Sequence, residues 1–144
     1  MSDVGQAVHA TAVVIGEDGI LIRGPTGAGK STLGRELIRW AADHGRHGAL
    51  VSDDRVVLEP RHGRLIARAV PAIAGLLEIR GLGIVPAPWQ DTGLLRLVVD
   101  LREGAPRMPE EQSPTATLGG VELPLIVVNQ ALALGLVVWQ IGHR

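Results

Sequence analysis

The sequence predicts an α/β fold with a mostly β core, a mixed sheet and flanking helices. Three observations predict it. Short apolar runs separated by Gly- and Pro-containing turns are frequent along the chain, and such runs are typical of strands. Only two segments, residues 30–44 and 130–141, read as helices. Between the first of these helices and an apolar run stands the glycine-rich stretch "RGPTGAGKST", which is typical of a phosphate-binding loop between a strand and a helix.

Length and composition favour one globular domain over residues 1–144. The chain is 46% apolar, carries a net charge of -1 and contains no cysteine. We therefore expect no disulfide, no thiolate metal site and no nucleic-acid partner, which usually requires a basic face. The N-terminus has no basic region before its apolar stretch, and the longest apolar run, residues 125–139, is too short to cross a membrane. We therefore expect a cytoplasmic protein without a membrane anchor.

The first half of the chain alternates between predicted strands and one helix. Apolar residues 10–15 and 20–22 flank the turn signal "GEDG", which predicts a β-hairpin. The phosphate-loop stretch follows, and Gly45 stands where a helix that begins at Lys30 would end. The predicted helix has apolar residues at helical spacing: Leu33, Leu37, Ile38, Trp40 and Ala41.

The second half predicts further strands and a last helix. A strand at residues 49–51 is followed by a hairpin formed by residues 56–58 and 65–69, then by the apolar segment 76–85, which Gly81 and Gly83 interrupt. The sequence "LLRLVVDL", residues 94–101, is a strong strand pattern, and residues 103–119 read as a mobile loop. Residues 123–128 predict a final strand, after which Asn129 can cap the last helix.

Residues 24–31 fit the phosphate-loop pattern G-x-x-x-x-G-K-[ST] at every fixed position. The glycines allow successive backbone N–H groups to turn toward phosphate oxygens, and the helix directs its positive end to the same point. Lys30 would reach the outer phosphates, and Ser31 would join the shell of a Mg²⁺ ion. The predicted nucleotide-binding residues are Gly24, Pro25, Thr26, Gly27, Ala28, Gly29, Lys30, Ser31 and Thr32.

Two adjacent carboxylates, Asp53 and Asp54, follow the predicted strand at residues 49–51. In P-loop folds we expect this strand to lie beside the strand that enters the loop, so that its end approaches the outermost phosphate. One carboxylate would then hold Mg²⁺, and the second could accept a proton from an incoming hydroxyl. Successive strand residues point to opposite faces, so both can serve only if the strand has already ended. The alternative is a solvated turn beside Arg55.

Taken together, the phosphate loop, "VSDDRV" (residues 51–56) and "LLEIRGLGIV" (residues 76–85) resemble the catalytic domain of bacterial HPr kinase/phosphorylase. This family phosphorylates a serine of HPr, the small carrier protein of the sugar phosphotransferase system, and can remove that phosphate. The resemblance covers about residues 7–144 and implies a short form without the family's N-terminal domain. It also implies a P-loop fold like that of phosphoenolpyruvate carboxykinase, and ATP and Mg²⁺ as cofactors.

The resemblance assigns roles residue by residue. His9 matches an active-site histidine ahead of the phosphate-loop hairpin, although Ala10 replaces the glycine that usually follows it. Lys30 and Ser31 match nucleotide and magnesium residues. Of the aspartate pair, we favour Asp54 as the base and Asp53 as a metal or water ligand. Glu78 matches a glutamate that helps to bind Mg²⁺.

The resemblance extends to two further arginines, and the chain departs from the family pattern in the segment between residues 85 and 94, which is shorter here, and before the last helix. Arg80, in the "EIRG" stretch, could pair with phosphate or with Glu78, and Arg107 could stabilise transition-state charge from the predicted loop. The family's basic, glycine-containing loop before the last helix has no counterpart here, because residues 127–130 read "VVNQ". That loop is tied mainly to dephosphorylation, so the kinase reaction is expected while the reverse reaction stays open.

Two other functions are compatible with the residues. A P-loop small-molecule kinase would close an arginine-rich lid over the phosphates, but residues 104–119 supply only Arg107. A nucleotide-binding regulator without transfer activity is compatible with the expected loss of the family's N-terminal domain and of its basic loop. The resemblance also implies a homo-oligomer, typically a hexamer, in which the apolar C-terminal segment could form an interface or simply be core.

Overall fold

The computed structural model describes residues 5–104 and 114–142. In these ranges the strands are β1 (Gln6–Val8), β2 (Thr11–Ile15), β3 (Asp18–Arg23), β4 (Gly48–Ser52), β5 (Val56–Arg61), β6 (Arg64–Arg68), β7 (Leu76–Ile79), β8 (Gly83–Pro86), β9 (Thr92–Leu101), β10 (Thr115–Leu118) and β11 (Val121–Val128). The helices are α1 (Lys30–Asp43) and α2 (Gln130–Gly142), and a 3₁₀ turn spans Pro71–Ile73. The predicted α/β class, with a mixed and mostly β core and flanking helices, is confirmed.

Nine of these strands form one sheet, with the order β1-β5-β6-β9-β3-β2-β4 and with β10 and β11 attached through β9. The long strand β9 is central to this sheet, because it pairs with three other strands. Its first residues pair antiparallel with β6, and its remainder runs parallel to β3 and to β11. Because β3 and β11 both run parallel to β9, they deliver the phosphate-loop stretch and the start of α2 to the same end of the sheet.

The core lies on both faces of this sheet, which explains why the strands are apolar at consecutive positions. All five residues of β2 are buried, and they alternate between two clusters. Val13 and Ile15 join the cluster that includes α1 and α2, whereas Ala12 and Val14 join the cluster beneath β5 and β6. The apolar face of α1, which includes Leu33 and Leu37, covers the first cluster.

Helix α1 begins and ends close to where the sequence predicts. Gly45 has φ +67° and follows the last helical turn. The N–H of Gly45 donates to the carbonyl of Ala42, and the N–H of Arg46 donates to the carbonyl of Ala41 at 2.8 Å. This pair of bonds is the Schellman motif, in which a left-handed glycine satisfies the terminal carbonyls.

Two expectations about the strands are wrong. Strand β4 pairs with β2 and not with β3, so one strand separates it from the strand that enters the phosphate loop. The predicted loop at residues 103–119 also contains a strand, because Thr115–Leu118 pairs antiparallel with Val121–Val128. Gly119 and Gly120, both with positive φ, form the tight turn between these strands. The sequence pattern does not indicate this short strand, because it contains polar residues such as Thr115 and Thr117.

Neither helix in residues 5–104 and 114–142 has the length and apolar character that a membrane-spanning segment requires.

Candidate functional site

A cleft with a volume of about 850 Å³ surrounds the phosphate-loop stretch. It brings together residues that are far apart in sequence. The predicted site residues that line it are His9, Pro25, Thr26, Gly27, Ala28, Gly29, Lys30, Ser31, Thr32, Asp54 and Glu78. Gly24 directly follows β3, just ahead of this set, and Asp53 does not line the cleft but accepts a hydrogen bond from Ser31. Arg107 falls outside the described residues.

The loop has the backbone conformation that phosphate binding requires. Gly27 and Gly29 have φ values of +85° and +98°, which residues with a side chain rarely adopt. Helix α1 starts directly after Gly29, has no side-chain N-cap and has no acidic residue in its first turn. The first N–H groups of a helix have no intrahelical acceptor, so here they are available to an anion.

Lys30 is buried at the start of α1, with 7% of its surface exposed. Its Nζ donates to the backbone carbonyls of Gly24 at 2.9 Å and of Pro25 at 3.3 Å. Two neutral carbonyls position this ammonium group but do not neutralise it. A buried cation held in this way favours an anionic ligand in the cleft.

The entrance to the loop is fixed by an ion pair between neighbouring strands. The guanidinium of Arg23, the last residue of β3, donates to both carboxylate oxygens of Asp100 on β9 at 2.7 and 2.9 Å. The two residues are also register partners in the parallel ladder. A bidentate pair adds geometric specificity to its energy, so it holds the point where the chain leaves the sheet and enters the loop.

Asp53 is the centre of a buried hydrogen-bond network. Its Oδ1 accepts from the hydroxyls of Thr11 at 2.7 Å and Ser31 at 2.6 Å, and its Oδ2 accepts from the N–H of Glu78 at 3.0 Å. This carboxylate thereby joins β2, the first turn of α1 and β7. Its three donors and 4% exposure leave it poorly placed to receive a proton from a substrate.

Asp54 has the opposite environment. The N–H of Arg55 donates to the carbonyl of Asp53 at 2.7 Å, which closes a three-residue turn with Asp54 at its centre and φ +65°. Strand β4 has ended at Ser52, as the use of both carboxylates requires. The Asp54 side chain is 67% exposed, and its Oδ1 lies 2.7 Å from Nε2 of His9.

The "EIRG" stretch forms one wall of the cleft through strand β7. Leu77 and Ile79 are buried in the core, and the alternation of a strand therefore directs Glu78 outward. Glu78 and Arg80 both line the cleft. The Arg80 guanidinium lies so close to Gly27 that a Cβ on Gly27 would approach it within 3.2 Å. The Arg80 guanidinium therefore lies beside the phosphate loop.

Three cleft residues lie outside every motif recognised in the sequence: Arg102, Glu103 and Gln130. Arg102 and Glu103 directly follow β9, and Gln130 is the first residue of α2. A useful signal existed, because β9 and β11 read as strong strands and the residues after parallel strands meet at one edge of a sheet. The parallel pairing itself could not be read from the sequence.

The donors near Ser31 suit a hard divalent cation, although they do not form a complete site. The Ser31 hydroxyl, the Asp53 carboxylate and the Glu78 side chain supply oxygen atoms, which Mg²⁺ prefers. Among the described residues no group of three or more His, Cys, Asp or Glu side chains could hold a metal ion. Mg²⁺ commonly binds one or two carboxylates and takes its other ligands from phosphates and water, so these residues fit it when a nucleotide is bound.

A charge cluster outside the cleft lies on β5 and β6. The hydrogen bond from Arg68, followed by that from Arg61, lowers the pKa of Glu59 to about 2. Arg68 Nε donates to Glu59 Oε1 at 2.7 Å, and Arg61 Nε donates to Oε2 at 3.0 Å. This cluster joins paired strands and does not face the phosphate loop, so we assign it to the fold.

Comparison with known proteins identifies the family. The model of the HPr serine kinase C-terminal domain matches residues 3–89, which is more than half of the chain. The chain belongs to this family. The family resemblance inferred from residues 24–31, 51–56 and 76–85 is thereby confirmed.

Individual members of the HPr serine kinase family agree with this placement. The HPr kinase/phosphorylase of Clostridium beijerinckii is 41% identical over 78 residues, which cover 54% of this chain and 24% of that protein. The HPr kinase/phosphorylase of Limosilactobacillus reuteri is 31% identical over 135 residues, covering 85% of this chain and 40% of that protein. The matches thus span about a quarter to two fifths of the length of these curated relatives.

A solved structure extends the likeness to nearly the whole chain. The structure of the HPr(Ser) kinase/phosphatase from Coxiella burnetii matches with a TM-score of 0.78 and 28% identity, covering 96% of each chain. The shared fold therefore includes β9, β11 and α2, which lie beyond the residues matched by the family model.

Proposed function

We propose that the protein is an ATP- and Mg²⁺-dependent protein serine kinase that phosphorylates the phosphocarrier protein HPr. One observation carries the proposal: the exposed carboxylate of Asp54, held at 2.7 Å from His9, lines the same cleft as the phosphate loop. A protein that only binds a nucleotide has no need of an exposed base beside the phosphates. Membership of the HPr serine kinase family supports HPr as the acceptor.

In this proposal the nucleotide phosphates lie against residues 24–32. The N–H groups of the loop and of the first turn of α1 bind phosphate oxygens, and the Lys30 ammonium neutralises charge on the outer phosphates. Ser31, Glu78 and, through its contact with Ser31, Asp53 would hold Mg²⁺. When bound, the ion neutralises charge that develops on the phosphates.

Phosphoryl transfer then requires little more than alignment and one proton acceptor. The serine hydroxyl oxygen of HPr forms a bond to the γ-phosphorus, and the bond from that phosphorus to the β–γ bridging oxygen breaks, leaving ADP. Asp54 accepts the serine proton, and His9 orients the carboxylate that receives it. Lys30 and the loop supply electrostatic stabilisation of the transition state, which usually contributes more to the rate of such reactions than any other single effect.

The reverse reaction, removal of phosphate from phospho-HPr by inorganic phosphate, is compatible with the same groups. The loop could hold inorganic phosphate as readily as a γ-phosphate. An oxygen of that phosphate would form a bond to the phosphoserine phosphorus while the bond from phosphorus to the serine oxygen breaks, which gives pyrophosphate, and protonated Asp54 could return its proton to the serine oxygen. Residues 127–130 provide no cation for it, however, since they comprise two valines, Asn129 and Gln130. We therefore propose that the kinase direction predominates.

The test is a transfer assay with γ-labelled ATP, Mg²⁺ and purified HPr, read out as phosphoserine. We expect the parent chain to label HPr and Asp54→Asn to lower the rate about 10²–10⁴-fold while ATP affinity is retained. Asparagine tolerates the left-handed conformation at this position, so the turn is kept. Asp43→Asn, at the exposed end of α1, is the matched control and should leave the rate unchanged.

Other outcomes of the same assay would overturn the proposal. ATP binding without labelling of HPr would indicate a regulator, and ATP consumption that depends on an added metabolite would indicate a small-molecule kinase. An Asp54→Asn variant that labelled HPr at the parental rate would remove Asp54 from the role of base. Phospho-HPr with inorganic phosphate, in a parallel reaction, measures the reverse direction separately.

We also propose the homo-oligomer, a hexamer by family resemblance, and a cytoplasmic location with its carrier substrate. An exposed apolar stripe on α2 supports an interface: Leu132, Leu136 and Trp139, which are 51%, 42% and 57% exposed, follow each other at helical spacing. Leu136→Glu should lower the mass measured by light scattering. An unchanged oligomer in that variant would place the interface elsewhere.

A further inference from the structure

The first residue of α2 touches the phosphate loop. Strand β11 runs parallel to β9 and ends at Val128, whose carbonyl accepts from the N–H of Arg102 at 2.9 Å. Asn129 caps the helix, since its Oδ1 accepts from the N–H of Leu132 at 3.0 Å. These contacts fix the start of α2, so the side chain of Gln130 has a defined position beside the loop.

The amide of Gln130 is directed at the backbone carbonyls of the loop. Its nitrogen donates to the carbonyl of Ala28 and to the carbonyl of Gly29, both at 3.1 Å. The opposite orientation would place Oε1 against two carbonyl oxygens, so the donor orientation is the one that satisfies both partners. The fit is tight, because a Cβ on Gly29 would overlap this amide.

These two bonds determine where two N–H groups point. In a trans peptide group the C=O and the following N–H are coplanar and point in opposite directions. Since the carbonyls of Ala28 and Gly29 face Gln130, the N–H groups of Gly29 and Lys30 must face away from it. That is the direction in which a phosphate loop presents its donors. The carbonyl of Gly29 also accepts from the N–H of Leu33 at 2.9 Å, which fixes the second peptide group further.

We propose that Gln130 is a positioning residue for phosphate binding, acting through the Ala28–Gly29 and Gly29–Lys30 peptide groups. It holds both carbonyls on one side of the loop, so that both N–H groups are set for a phosphate before the ligand arrives. Pre-set donors bind more tightly, because no reorganisation is required on binding. The inference deepens the proposed function by assigning a residue of the same site, and it requires only that the loop binds the phosphates of a nucleotide.

The experiment compares two substitutions of similar size in the full chain. Gln130→Met keeps the volume and removes the donor, whereas Gln130→Glu replaces the donor with an acceptor that faces two carbonyl oxygens. The probes are ADP and adenosine, measured by calorimetry and by competition in the absence of HPr. Gln140→Met and Gln140→Glu, on the last turn of the same helix, are matched controls outside the cleft.

We expect Gln130→Met to weaken ADP binding about tenfold, since two neutral hydrogen bonds are lost, and Gln130→Glu to weaken it about a hundredfold. Adenosine, which has no phosphate, should bind every variant within about twofold of the parent. The Gln140 variants should bind ADP as the parent does. A role in packing alone predicts a different pattern, because Met conserves volume and would leave ADP affinity intact.

Three results would overturn the inference. The first is parental ADP affinity in Gln130→Met, and the second is an equal loss of ADP and adenosine affinity. The third is a parent chain that binds no ADP, which would also overturn the proposed function. A parent that binds ADP with this dependence on Gln130, yet does not phosphorylate HPr, would overturn the proposed function alone.

Discussion

The hydrogen bond between Thr11 and Asp53 gives the sharpest test of how the site is built into the fold. Thr11 lies fully buried on β2, and its hydroxyl donates to Asp53 Oδ1 at 2.7 Å. Replacing Thr11 with valine keeps the branched shape and the strand preference but removes this donor. Asp53, itself 4% exposed, would keep its bonds from Ser31 and Glu78 and lose its hydrogen bond from β2.

The expected cost follows from the type of bond. A hydrogen bond to a charged group contributes about 1.5–3 kcal/mol to the free energy of unfolding. For 144 residues the entropy of unfolding near the midpoint is about 0.3 kcal/mol/K. Thr11→Val should therefore lower Tm by about 5–10 °C, and lower the urea midpoint by about 1 M if the urea dependence is about 2 kcal/mol/M.

The assay is urea and thermal unfolding at pH 7, followed by circular dichroism. Thr11→Ser is the matched control, because serine retains the hydroxyl and should recover most of the loss. A double-mutant cycle with Asp53→Asn then isolates the interaction energy between the two side chains, which we expect to lie at about 1–2 kcal/mol.

Three results would refute this reasoning. If Thr11→Val unfolded at the parental midpoint, the buried hydrogen bond would contribute nothing net. If Thr11→Ser lost as much stability as Thr11→Val, the methyl group would be the stabilising element and the hydroxyl would be incidental. Additive effects of Thr11→Val and Asp53→Asn would equally exclude a direct interaction between the two side chains.

Three further predictions concern the surroundings of the cleft and the outer sheet. Arg68 lowers the pKa of Glu59 to about 2, so this carboxylate stabilises the fold fully above about pH 4.5 and progressively less as pH falls toward 2. The free energy of unfolding of Glu59→Gln, measured in urea, should therefore depend less on pH in that range than that of the parent. Gly27→Ala should weaken ADP binding at least about tenfold by calorimetry, because φ is +85° and the added Cβ would crowd Arg80; parental affinity would contradict this. Arg102→Ala should weaken ATP binding about tenfold in about 50 mM salt and less in about 500 mM salt, since this cation lines the cleft; an effect independent of salt would exclude an electrostatic role.

Much of the fold could be predicted because its local signals agree with one another. The hairpin of β2 and β3 has apolar strands around a Gly-containing turn, and α1 has both an apolar face and a Gly in its C-terminal turn. The order of the strands could not be predicted in the same way. That order depends on which strands pair across long separations, and β4 pairs with β2 through contacts that no short stretch of sequence encodes.

The site was predictable to the extent that its residues belong to recognisable motifs. The phosphate-loop motif has its functional residues at fixed spacing and could be recognised directly. His9 and Glu78 were predicted as site residues only through the family resemblance. Thr11, Arg102 and Gln130 belong to no motif, and they reach the site only because β2, β9 and β11 lie where the sheet places them. These three residues could therefore be identified only from the structure.

The turn at Asp53 and Asp54 has a consequence for the interpretation of substitutions in the aspartate pair. One carboxylate is enclosed by Thr11, Ser31 and the backbone of Glu78, while its neighbour faces solvent beside His9. Substitution of Asp53 should reduce the amount of folded protein as well as Mg²⁺ binding, whereas substitution of Asp54 should reduce the turnover of a protein that remains folded. A chain with both residues substituted would combine the loss of folded protein with the loss of turnover. The inactivity of such a double variant would therefore carry no information about catalysis.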